Sequence, residues 1–167
     1  MIALQIKDVK HFMGRLLGTD LLDSFLLEEA VVSTYNTFTI DGRINRDFFS
    51  REEWEDPSVR PYDFSSWKSM RPILFGLIRG KKTPVSFRFV LHLMPQYVSG
   101  ILKPSETSVT ADQVKALVLT CRYENGSLTL VTGTSFHTFL PDKSADVLWD
   151  RMMKVFLDKK EVDYEPL

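Results

Sequence analysis

The chain has 167 residues, 44% hydrophobic and 12% aromatic, with 21 basic and 22 acidic side chains giving a net charge of −1. That length suits one domain able to bury well over half of its unfolded surface, and the composition excludes a disordered or fibrous chain. A single cysteine, Cys121, excludes an intramolecular disulfide and fits a reducing compartment.

From the N-terminus, Met1 to Lys10 shows neither the apolar run nor the small-residue cleavage site of a secretory signal. No stretch approaches the roughly 20 apolar residues of a membrane helix, so the chain reads as soluble and cytoplasmic. Val9, Phe12, Met13, Leu16 and Leu17 recur at helical spacing, with Gly18 as the expected stop. After an apolar segment from Leu21 to Leu27, Ala30 to Ile40 is rich in β-branched and aromatic residues. Asp41-Gly42 then predicts a hairpin whose return strand runs from Arg43 to Phe49. Ser50 to Pro61 is acidic and reads as a surface loop or short helix.

Next comes a stretch without acids. Between Asp63 and Glu106 lie 42 residues carrying Lys68, Arg71, Arg79, Lys81, Lys82, Arg88 and Lys103, while the other 125 residues carry a net −8. Within it, Pro72 predicts the first turn of a helix that buries Ile73, Leu74, Leu77 and Ile78 and stops at Gly80. Val85, Phe87, Phe89, Leu91 and Leu93 alternate with Ser86, Arg88, Val90 and His92, which predicts a strand with Arg88 and His92 facing away from the core. Pro95 can open a short helix with Val98, Ile101 and Leu102, followed by a polar loop from Lys103 to Ala111.

Val114 to Tyr123 and Ser127 to Thr134 flank Asn125-Gly126, the preferred pair for a type I′ turn. That turn predicts Tyr123 opposite Leu128, Cys121 opposite Leu130 and Leu119 opposite Thr132. Asp142 can cap a last helix with the stripe Ala145, Leu148, Trp149, Met152 and Phe156, and residues 161–167 are expected to fray. The pattern predicts a single α+β domain over residues 1–167. Its mainly antiparallel sheet has about five strands, with N-terminal, central and C-terminal helices packed on one face.

Catalytic constellations are thin. His11, His92 and His137 have no second ligand at metal spacing, so neither a metal nor a cofactor is expected. Gly76 and Gly80 before Lys81-Lys82-Thr83 mimic a phosphate loop, but their spacing is short and they follow a helix instead of preceding one. Cys121 falls on the apolar face of its hairpin, and Glu28-Glu29 and Glu52-Glu53, as neighbours, are expected to diverge. No catalytic residue is assigned. The candidate binding residues are Arg79, Lys81, Lys82, Arg88 and His92. A helix dipole accounts for the first three on its own; Arg88, on an open strand face, lacks that account.

Tyr35 to Gly42 and Ile78 to Pro84 resemble a bacterial family of unknown function found in anaerobic gut Gram-positive organisms. The resemblance implies a stand-alone bacterial domain with no assigned activity, substrate or cofactor. From the residues, the first expectation is a non-enzymatic cytoplasmic binding domain whose basic surface, within 68–103, takes an anionic ligand or an acidic protein surface. Nucleic acid is disfavoured by the near-neutral isoelectric point, and a membrane by the lack of a span. The alternatives are a small enzyme acting on a phosphate- or carboxylate-bearing substrate, with His92 as acid–base and Arg88 or Arg71 stabilising charge, and a homo-oligomer joining basic to acidic surfaces.

Overall fold

The clearest alternation in the sequence forms the middle of a sheet. In the computed structural model, which describes residues 1–167, β5 (Ser86–Leu93) buries Phe87, Phe89, Leu91 and Leu93 and turns Arg88 and His92 to the opposite face. Beside it, β6 (Val114–Glu124) and β7 (Ser127–Phe136) join through Asn125 (φ 53°) and Gly126 (φ 76°), the two positive values that a type I′ turn requires. Their register is the predicted one: Tyr123 pairs with Leu128, Cys121 with Leu130 and Leu119 with Thr132. Thr132 is buried among apolar side chains and satisfies its hydroxyl by donating to Asp150 while accepting from the Ile2 amide.

The remaining strands are β1 (Ala3–Ile6), β2 (Phe25–Ser33), β3 (Thr37–Asp41), β4 (Ser65–Ser66) and β8 (Tyr164–Pro166). The sheet runs β3-β2-β5-β6-β7-β1-β8, with every pairing antiparallel and β4 beside the start of β2. Five helices complete the chain: α1 (Val9–Gly18), α2 (Arg51–Glu55), α3 (Trp67–Ile78), α4 (Pro95–Ile101) and α5 (Ser144–Lys159). All except α2 bury side chains in the same 33-residue core as the inward faces of the strands. The α+β expectation therefore holds, with eight strands where about five were read.

Several local expectations differ. The tail, expected to fray, pairs with β1 (Leu4 with Pro166, Ile6 with Tyr164), because Val162 is buried and pulls the chain onto the sheet edge. Helix α3 begins at Trp67, not at Pro72: the Ser66 side chain caps it by accepting from the Ser69 amide, and Trp67 is wholly buried. Pro72 thus sits inside the helix, and Ile73 is 53% exposed where burial was expected. Along α5, Met153 and Leu157 are buried where Met152 was expected, and Phe156 packs half-buried against the same core, since an i, i+4 row from Ala145 through Trp149 faces the sheet. Trp149 fixes that face by donating its indole N–H to the Val118 carbonyl at 2.8 Å.

Asp41-Gly42 is not a turn. The hairpin reverses earlier, at Thr34–Asn36, and in place of a strand over 43–49 there is a single bridge from Arg43 to Phe64 and a 3-10 turn at Arg46–Phe48. Gly42 instead lies against a bulge in β2 between Leu27 and Glu29, where a Cβ would stand 1.8 Å from the Leu27 carbonyl oxygen. Its amide donates to the Glu28 carbonyl at 2.8 Å, and its own carbonyl accepts from the Ser65 amide at 2.8 Å. The residue is glycine because two backbones touch there.

Gly42→Ala should therefore cost on the order of 2–3 kcal/mol and lower Tm by about 5–10 °C in a calorimetric scan. Gly14→Ala, in α1 with nothing within 4 Å, should raise Tm slightly. Burial pushes the Cys121 thiol up to about 12, so it should resist a thiol reagent at pH 8 until the protein is unfolded in guanidinium.

Candidate functional site

The segment from α3 to β5 leaves the helix at Arg79, its C-cap, and passes Gly80 to reach Lys81, Lys82, Thr83 and Pro84. The first turn of α1 flanks it on one side and the tip of the β6–β7 hairpin on the other. Together they enclose a groove of about 640 Å³. Lys10, Arg79, Lys81 and Lys82 form its rim, while Val9, Met13, Ile78, Phe87 and Tyr123 supply an apolar lining. Phe87 and Tyr123 lie nearly parallel, with ring centroids 5.3 Å apart and planes 15° from each other. No carboxylate lines the groove.

All four rim cations are exposed, and none takes part in an ion pair. Three come from the acid-free stretch, where few local carboxylates could neutralise them. The fourth arrives through the packing of α1 against α3. The α3 dipole accounts for a cation at the Arg79 cap, but its influence fades within the last turn. The helix ends at Ile78, two residues before the expected stop at Gly80, so the dipole expected to account for Lys81 and Lys82 as well does not reach them.

The other two candidate residues are elsewhere. Arg88 and His92 occupy the opposite sheet face, and both have partners from β2. Arg88 donates to Glu29 at 2.7 Å, and His92 Nε2 lies 2.5 Å from Glu28 Oε2. In a regular strand adjacent glutamates diverge, as the sequence suggested. The β2 bulge lets both reach the same face, one toward each basic residue. Phe64 packs edge-on against the imidazole at 5.0 Å, and Tyr62, Phe64, His92 and Lys115 line a cleft of about 180 Å³. Arg88 faces a separate groove beside Arg122, which is itself held 2.8 Å from Glu124.

Arg71 is committed too. It donates two hydrogen bonds to Asp23, at 3.0 and 3.1 Å, and that pairing raises its already high pKa further. His137 is exposed; His11 borders a small depression with Asp8, Arg15 and Asp163. The sequence reading missed Lys10 and Tyr123. Nothing in their local pattern marks them, because only the approach of α1 and the hairpin tip to the α3–β5 corner joins them to Arg79, Lys81 and Lys82. No helix is long and apolar enough to cross a membrane.

No curated protein sequence and no solved structure matches the chain. A match of family extent does exist, over residues 15–165, and runs from within α1 into β8; it takes in Arg79, Lys81 and Lys82 but not Val9, Lys10 and Met13 on the α1 side of the groove. The resemblance noted at Tyr35–Gly42 and Ile78–Pro84 is thereby established at the level of the family, the organism group remaining an implication of that resemblance. The chain belongs to the family of unknown function DUF5721.

Proposed function

We propose that this protein is a non-enzymatic, cytoplasmic binding domain that takes an anionic ligand in the groove at the α3–β5 corner. One observation carries the reading: four exposed, unpaired cations converge on one groove that no carboxylate lines. Exposed lysines raise the local anion concentration and lose little on binding, since no internal partner has to be released. Arg88 and His92 drop out of this site, because Glu29 and Glu28 already occupy them.

A second reading has its own observation. His92 Nε2 lies 2.5 Å from Glu28 Oε2, and the same imidazole lines the cleft formed with Tyr62, Phe64 and Lys115, which puts a histidine–carboxylate pair beside a concave surface. That arrangement supports acid–base chemistry. It supplies neither a nucleophile nor an oxyanion-stabilising pair, so it ranks second.

Titrated calorimetrically with tripolyphosphate at low ionic strength, the protein should bind, and added salt should weaken the complex. Arg79→Glu/Lys81→Glu/Lys82→Glu should lower the affinity more than about tenfold while Tm moves by no more than about 3 °C. Unchanged affinity in that variant would remove the groove reading. For the second reading, a panel of p-nitrophenyl phosphate and carboxylate esters should be turned over, with His92→Ala reducing the rate about 100-fold or more. Absence of turnover, or turnover indifferent to His92→Ala, would sink it.

A further inference from the structure

The cations alone would suit any anion, but the lining is more selective. Apart from the rim, the groove offers Val9, Met13, Ile78, Phe87 and the ring of Tyr123, together with Pro84, and its only other polar side-chain groups are the hydroxyls of Thr83 and Tyr123. No amide or acid side chain is present to read a polar body such as a sugar or a nucleobase. A bare phosphate would touch the rim and leave the apolar surface wet. At about 640 Å³ the groove falls within the size range of sites that enclose a complete small ligand. Met13, on an unbranched and adaptable side chain, suits a ligand body without a rigid shape.

We propose that the ligand is an amphiphilic anion: a linear alkyl or acyl chain with one phosphate or carboxylate head. This deepens the groove reading and rests on it. The head lies among Lys10, Arg79, Lys81 and Lys82, and the chain runs over Val9, Met13, Ile78 and the ring of Tyr123. The charge sets where the head goes, and chain burial supplies the added affinity, each buried methylene being worth about fourfold.

The test uses the full chain and five probes by calorimetry, all kept below their micelle concentrations: inorganic phosphate, ethyl phosphate, decyl phosphate, decanoate and neutral decanol. Decyl phosphate should bind at least about 50-fold more tightly than ethyl phosphate, and decanol, lacking the charged head, at least about tenfold more weakly than decyl phosphate. Decanoate against decyl phosphate then distinguishes a carboxylate from a phosphate head. Met13→Gln should shrink the affinity ratio of decyl phosphate to ethyl phosphate at least about fourfold. The Lys81→Glu/Lys82→Glu variant should weaken every anionic probe. Decyl phosphate no tighter than ethyl phosphate would overturn this inference and leave the anion groove standing. Decanol binding as well as decyl phosphate, or no anion binding at all, would overturn both. Phosphatidylglycerol vesicles in a sedimentation assay distinguish the source: capture only of vesicles, with no binding of free decyl phosphate, would also contradict a groove that takes single amphiphiles.

Discussion

The arrangement of charge in this protein depends on one close approach between backbones. Gly42 lies against the β2 bulge so tightly that no side chain fits between it and the Leu27 carbonyl. The bulge turns two consecutive glutamates to one sheet face, where Glu28 meets His92 and Glu29 meets Arg88. A one-residue irregularity thus neutralises the basic side of the central strand. Without it, alternation would send one of the two carboxylates toward Phe89 and Leu91 in the core, at a desolvation cost that an unpaired charge cannot recover.

Once those pairs are made, the acid-free stretch resolves into unequal parts. Arg71 is tied to Asp23 and Arg88 to Glu29, each by a close ion pair. Lys68 and Lys103 are exposed, solvated and away from the groove. Arg79, Lys81 and Lys82 remain, adjacent in sequence, joined by Lys10 and set around an apolar lining. Dispersed cations keep a surface hydrated. Four that share one concave surface with no counter-charge create a local field that a ligand can use.

What could be read from the chain followed from how local the controlling physics was. Phe87 to Leu93 and Leu119 to Leu130 were legible because alternation and the Asn125-Gly126 turn act within a few residues. Asp41-Gly42 carried the same turn chemistry and misled, because its glycine answers to Leu27, fifteen positions away, and not to a turn. The strands β1, β4 and β8 are two to four residues long, too short for a period to show, and they exist only because longer neighbours offer them an edge. The corner itself was visible as Arg79-Gly80-Lys81-Lys82. Its character as a groove was not, since Lys10, Met13 and Tyr123 come from elements 40 or more residues away.

The central claim is that the free positive charge of this fold acts at the α3–β5 corner and not on the open strand face. An amide chemical-shift map recorded during a phosphate titration tests it most directly. The account predicts shifts confined to residues 9–13, 79–84 and 123–126, with the amides of Arg88 and His92 unmoved. Shifts centred on Arg88, His92 and their glutamate partners, with the corner silent, would contradict it.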